Sequence, residues 1–175
     1  PAYLRLAGEG KYLDALRVIT ERNPLPFITG TICSHRCMDK CTRNFYEDSV
    51  HIREVKLEAA QNAYDELLKE LRPAAPARGK KVAVVGGGPA GISAACFLAR
   101  AGVPVTVFER KRQLGGIVRH VIPAFRIPTS AIENDVAIAR AVGAQFELGA
   151  EIGSAQELLD RGYTDVILAT GAWQP

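Results

Sequence analysis

The sequence contains no run approaching the ~18 apolar residues of a membrane helix. It also has no charged start followed by an apolar stretch of the kind that marks a signal peptide. Neither a membrane span nor a secretory leader is expected. An excess of one charge is lacking too: 22 Lys and Arg stand against 19 Asp and Glu. Residues 1–79 hold 12 basic and 11 acidic side chains and residues 80–175 hold 10 and 8, so neither half offers a nucleic-acid-binding face. Cysteine is scarce. Three of its four copies fall within nine residues, which is not the pattern of a secreted disulfide framework, and a reducing cytoplasm is expected. The chain lacks an initial methionine and stops just after a strand-like segment, as an excised piece of a larger protein would.

What is present is ordinary globular material. Hydrophobic residues make up 47% and charged ones 23%, enough for a core, and 175 residues can hold one medium or two small domains. The most informative stretch is Lys80-Lys81-Val82-Ala83-Val84-Val85-Gly86-Gly87-Gly88-Pro89-Ala90-Gly91. It reads as a short buried strand, a glycine turn and a helix start. Gly86, Gly88 and Gly91 fill the glycine slots of the dinucleotide fingerprint: one for the tight turn, one for approach of a pyrophosphate, one for helix–strand packing. The N-terminus of the following helix offers free N–H groups to phosphate, and Pro89 sacrifices no hydrogen bond in a first turn. A helix over 90–101 stops at Gly102, and a strand over 104–108 follows. Glu109 ends that strand 18 residues past Gly91, where an acid can hold adenosine ribose hydroxyls.

Elsewhere, residues 1–22 read as one helix, broken by Asn23-Pro24-Leu25-Pro26. Ile52–Leu71 is a long amphipathic helix. The proline-rich segment 73–79 reads as a linker between a helical domain at 1–72 and a second domain at 80–175. After Glu109 come the basic turn Arg110-Lys111-Arg112, the paired glycines Gly115-Gly116 and an extended, proline-fixed segment, Ile122–Pro128. Thr129 reads as the cap of a helix through Ala141. A third strand over 145–148 follows, then a helix over 155–161. A fourth, buried strand over 165–169 ends in the small-residue turn Thr170-Gly171. The alternation of strand and helix predicts an α/β domain with a parallel sheet.

Cys33, Cys37 and Cys41 form a C-x3-C-x3-C run that is neither a zinc-ribbon pair nor a ferredoxin run. On one continuous helix, the outer two would lie about 12 Å apart at ~1.5 Å rise per residue, too far for one centre. Cys33 and Cys37 could then share a site while Cys41 serves another. Packed reduced thiols, a zinc site completed by His35 or His51, and iron–sulfur ligation all remain open. Arg36, Lys40 and Arg43 set a positive field that favours thiolates. Cys96, alone on the apolar face of the dinucleotide helix, reads as core.

Taken together, GGGPAG, FER, LGG, R-x-x-IPxFRxP and VILATGA resemble the flavin-binding half of the glutamate synthase small subunit, a family that includes the N-terminal part of dihydropyrimidine dehydrogenase. NPLPFITGTIC-SHRC-MDKCT resembles that family's helical iron–sulfur domain. HRCMDKCTRNFYEDSVHIREVKLEAA is most similar to the branch designated selenate reductase. The resemblance covers nearly the whole chain. It implies a small all-helical iron–sulfur domain followed by an incomplete Rossmann-like FAD-binding domain. NADPH on a separate domain would reduce FAD, and electrons would leave singly through 4Fe-4S clusters to an electron-accepting subunit or domain. Carried onto this chain, FAD contacts fall on Gly86, Gly88, Pro89, Ala90, Gly91, Glu109, Arg110, Gly115, Gly116, Arg126, Thr170 and Gly171. Cys33 and Cys37 match ligands of one cluster and Cys41 a ligand of the other.

This chain departs from the family in three places. Thr29 stands where a cysteine is frequent, Lys56 stands where dihydropyrimidine dehydrogenase supplies a glutamine ligand, and the upstream CxxCxxxxC run is absent. No catalytic residue is assignable, and this stretch alone is expected to be inactive. A non-catalytic assembly module with a zinc-binding or metal-free cysteine domain is the competing reading. A plain NAD(P) dehydrogenase domain is a third, in which Glu109 tolerates NAD, disfavours a 2′-phosphate and leaves the cysteines unexplained.

Overall fold

A computed structural model describes residues 2–172, which divide into two compact units, one up to Glu70 and one from Leu71 onward. Pro1, which the sequence places in the first helix, lies outside the described residues.

The first unit is helical. Where one N-terminal helix was expected there are two, α1 (Ala2–Gly8) and α2 (Tyr12–Thr20). Gly10 breaks them with φ 74°, a conformation that glycine enters at little cost. α3 (Pro26–Ile32) begins on a proline at its first position, where the missing N–H has no partner to lose. α5 (Ile52–Glu70) comes after α4 (Arg36–Asp39) and a 3-10 turn over Thr42–Phe45. Ala59, Ala60, Ala63 and Leu67 of α5 are buried, and Ala59 joins Ala7, Ala15 and Ile19 in one apolar cluster. Small residues let these helices approach closely. Gly30 of α3 is an example, since a Cβ there would come within 3.0 Å of Leu57 Cβ on α5.

The second unit is α/β, as the alternation predicts. β1 (Val82–Val85), β2 (Val105–Glu109), β3 (Gln145–Leu148) and β4 (Asp165–Leu168) form a parallel sheet of order β3-β2-β1-β4. Its centre is buried through Ala83, Val84, Val107 and Phe108. α6 (Pro89–Arg100) and α8 (Thr129–Ala141) pack together, and Ile92, Ala95, Ile132 and Val136 are buried in them. α9 (Ala155–Asp160) carries a side-chain cap, with Ser154 accepting from the Glu157 N–H.

Three further expectations are corrected. The fourth strand is not buried: β4 is an outer strand of the described sheet, and Leu168 is 68% exposed. Ile122–Pro128 is not extended, because the N–H groups of Arg126 and Ile127 both donate to the Pro123 carbonyl and close a turn. A short helix unseen in the sequence, α7 (Ile117–His120), precedes it. Thr129 is the first helical residue rather than a cap; Pro128 holds the cap position, with no side-chain bond.

Segment 73–79 counts with the second unit and is docked on it. The Ala77 N–H donates to the Gly102 carbonyl at 2.7 Å. Gly102 (φ 77°) has no room for a side chain, since a Cβ would lie 2.3 Å from the Ala75 carbonyl oxygen.

Candidate functional site

The glycine turn joins β1 to α6, and its glycines differ in what they need. Gly86 has φ 111°, and a Cβ there would strike the Ala169 carbonyl oxygen at 2.3 Å. At Gly91 a Cβ would meet the Gly86 carbonyl oxygen at 1.9 Å, so the helix can pack on the turn only without a side chain. Gly88 is unlike both. Its φ of −80° suits any residue, and its nearest neighbour to an added Cβ is Gly116 Cα at 3.8 Å. Nothing within the protein requires glycine there; the space a side chain would take opens at the N-terminus of α6.

A second glycine pair faces this turn. The Gly115 N–H donates to the Gly87 carbonyl at 2.8 Å, and Gly116 lies against the Gly88 backbone. Glu109 ends β2 and is buried. Its two carboxylate oxygens accept from the backbone N–H of Gly87 at 2.7 Å and of Lys111 at 2.8 Å. Each oxygen keeps lone-pair capacity for a further donor. Beside it lies a cleft of about 170 Å³ lined by Gly86, Phe108, Glu109, Arg110, Ala150, Glu151, Ile152 and Thr170, at the carboxyl ends of β1 and β2. Open α/β sheets bind ligands at that end. A cleft of about 190 Å³ lies at the opposite end, walled by Pro73, Pro76, Gly102 and Pro104, away from the glycine turn.

The structure thus brings together Gly86, Gly88, Pro89, Ala90, Gly91, Glu109, Gly115 and Gly116, with Arg110 and Thr170 on the adjoining cleft. Arg126 and Gly171 are exposed and line neither cleft. For a dinucleotide such as FAD the residues fit: an open helix N-terminus, a backbone cradle without side chains and an acid at the strand end. Sequence reasoning missed Arg119, whose guanidinium bonds the carbonyl of Leu114 just before the glycine pair. As one basic residue among many it carries no signal in the sequence.

The cysteine run is not one helix, so the spacing argument built on a continuous helix does not hold. Cys33 is extended (ψ 137°), His35 sits in the left-handed region with φ 59°, and Cys41 is again extended. Arg53 of α5 donates to the Cys33 carbonyl, and Glu54 lies 3.6 Å from His35 Nδ1. Cys33 and Cys37 are exposed and Cys41 is half-buried. Backbone N–H groups of Val50 and then Arg43 pull the Cys41 thiol below its ordinary pKa, as suits a thiolate ligand. Among the described residues no three His, Cys, Asp or Glu side chains converge to hold a metal ion. The thiols fit iron–sulfur chemistry by type and charge, but they do not complete a ligand set. Cys96 is fully buried, and desolvation pushes its thiol up to about 11. No described helix is long and apolar enough to cross a membrane.

Comparison with known proteins covers both units. Residues 1–67 match the family described as dihydropyrimidine dehydrogenase domain II, 4Fe-4S cluster, and residues 84–131 match an NAD(P)-binding Rossmann-like domain. YgfK of Escherichia coli strain K12, which carries the name of an oxidoreductase, is 45% identical over 173 residues, 98% of this chain and 17% of that protein. The small chain of NADPH glutamate synthase from Mycobacterium tuberculosis is 36% identical, over 98% of this chain and 36% of its own length. The NADPH-Fe(3+) oxidoreductase subunit beta of Geobacter sulfurreducens is 32% identical, over 98% and 26%. The chain therefore spans well under half of each of these relatives. The resemblance to the glutamate synthase small-subunit group is borne out.

Proposed function

We propose, from this kinship with the glutamate synthase small-chain group, that the chain is the iron–sulfur and dinucleotide-binding part of an NAD(P)H-dependent oxidoreductase. FAD is the dinucleotide, held by the second unit. Bound there, FAD would supply the change from two-electron hydride transfer to one-electron transfer, and 4Fe-4S clusters held in part by Cys33, Cys37 and Cys41 would supply the one-electron path to an accepting subunit or domain.

The observation that carries the reading is Gly88. It is free of conformational and packing demands, yet it keeps the first turn of α6 clear of a side chain where Gly116 already lies alongside. A pyrophosphate approaching the α6 N-terminus accounts for that: the α6 N–H groups meet its charge, and neither Gly88 nor Gly116 puts a side chain in its way. Glu109, already fixed by Gly87 and Lys111, presents its remaining lone pairs to ribose hydroxyls. Its negative charge works against the 2′-phosphate of NADP at the same place, so the site suits a dinucleotide without that phosphate, which in this reading is FAD. Cys33 and Cys37 serve one cluster and Cys41 another, with further ligands from beyond these residues.

Flavin content of the full-length protein tests this. Glu109→Ala should weaken FAD binding by about 1.5–3 kcal/mol, the range for a lost charged hydrogen bond. Gly88→Leu should abolish flavin retention. Undiminished flavin in both variants would refute the assignment, and retention of NAD instead of FAD would replace it with the dehydrogenase reading.

A further inference from the structure

The glycine turn of the proposed site is flanked by a second glycine pair whose shape depends on a residue outside the fingerprint. Gly115 (φ 121°) and Gly116 (φ 53°) both sit where L side chains rarely go. A Cβ on Gly116 would come within 2.8 Å of Gly88 Cα, so the two backbones are nearly in contact. A two-glycine turn has unusual conformational freedom, and its shape must be imposed from outside. One tie is the bond from the Gly115 N–H to the Gly87 carbonyl. Backbone N–H groups of Val118, Arg119 and His120 donate to the Gly115 and Gly116 carbonyls, and a further tie is the side chain of Arg119. Its Nε donates to the Leu114 carbonyl, and its Nη2 pairs with Glu133 of α8. The Arg119 side chain is only 9% exposed, and its Cβ fills the space beneath Gly115, 2.9 Å from where a side chain would begin. A guanidinium covered to that extent is stable only if its donors are used.

We propose that Arg119 is a positioning residue of the dinucleotide site: it clamps Leu114–Gly116 against Gly87–Gly88 and is itself set by Glu133. The proposal rests on the reading of residues 86–116 as an FAD cleft. In this scheme Arg119 acts through the loop and not on the cofactor, with its Nε committed to Leu114 and its Nη2 to Glu133. Arginine suits the task since its planar fork serves two acceptors at a fixed angle, whereas lysine offers a single point charge.

FAD titration of the apo form of the full-length protein, well below its unfolding temperature, tests this beside thermal melts. Arg119→Met should weaken FAD binding about tenfold or more. Arg119→Lys should recover part of that loss, and Glu133→Gln should weaken binding about threefold with an unchanged melt. Gly116→Val serves as the site control and should lose the flavin. Wild-type affinity in Arg119→Met, while Gly116→Val loses FAD, overturns the proposal and leaves the FAD reading standing. If Arg119→Met fails to fold, wild-type affinity in both Arg119→Lys and Glu133→Gln overturns it instead. Absence of FAD binding by the wild type overturns the FAD reading and this proposal together.

Discussion

At the scale of residues, the three fingerprint glycines differ in what the fold demands of them. Gly91→Ala drives a Cβ to 1.9 Å from the Gly86 carbonyl oxygen, and the backbone must move. We expect a loss of at least about 1–3 kcal/mol, typical of overpacking, read from a urea midpoint. Gly88→Ala places its Cβ at an ordinary 3.8 Å from its neighbour. It should keep the wild-type midpoint yet bind FAD more than about tenfold more weakly. The fingerprint spacing made both positions legible in the sequence, but not this difference between them. Glu109 was likewise legible as an acid at a strand end. Its bond to Gly87 was not, because those residues lie far apart in the chain and meet only through the pairing of β1 with β2.

Cys96 gives a pH test at the same scale. Its thiol is held up to about 11 by burial, against an ordinary value of 9.0. Below pH 9 both folded and unfolded forms keep the proton, and stability does not depend on it. Between about 9 and 11 the unfolded chain ionises while the folded one cannot, so stability falls as pH rises, by about 2–3 kcal/mol in all. Cys96→Ala should flatten that part of the pH–stability curve. An equal slope in both proteins would contradict the account.

At the scale of elements, periodic segments were legible and short irregular ones were not. Helix α8 and strand β3 follow clear patterns bounded by turn residues. The break at Gly10 interrupts an apolar period that reads through it, and α7 is too short to show a period at all. His35 in the left-handed region splits the cysteine run, and no neighbouring residue type announces it. The proline segment 73–79 read as a free linker by composition, yet it is bonded to Gly102. Gly102→Ala would push a Cβ into the Ala75 carbonyl oxygen and force the segment off. Trypsin cleavage after the exposed Arg78 should then quicken severalfold while the sheet stays folded; unchanged cleavage would show that the docking is dispensable.

At the scale of the whole molecule, a helical unit with three clustered cysteines precedes a parallel-sheet unit with a dinucleotide cradle. The order of motifs made that division legible. The cluster ligands were less so, because completing a ligand set takes more donors than these residues bring together. The proposed function requires one protein to carry both FAD and 4Fe-4S clusters. Its most direct test is a visible spectrum of the full-length protein purified without oxygen, with FAD, iron and acid-labile sulfide measured on the same sample. Flavin bands on a broad iron–sulfur shoulder are expected, with FAD near one per chain and matched iron and sulfide that fall in Cys37→Ala and in Cys41→Ala. Stoichiometric zinc with neither sulfide nor flavin would contradict it.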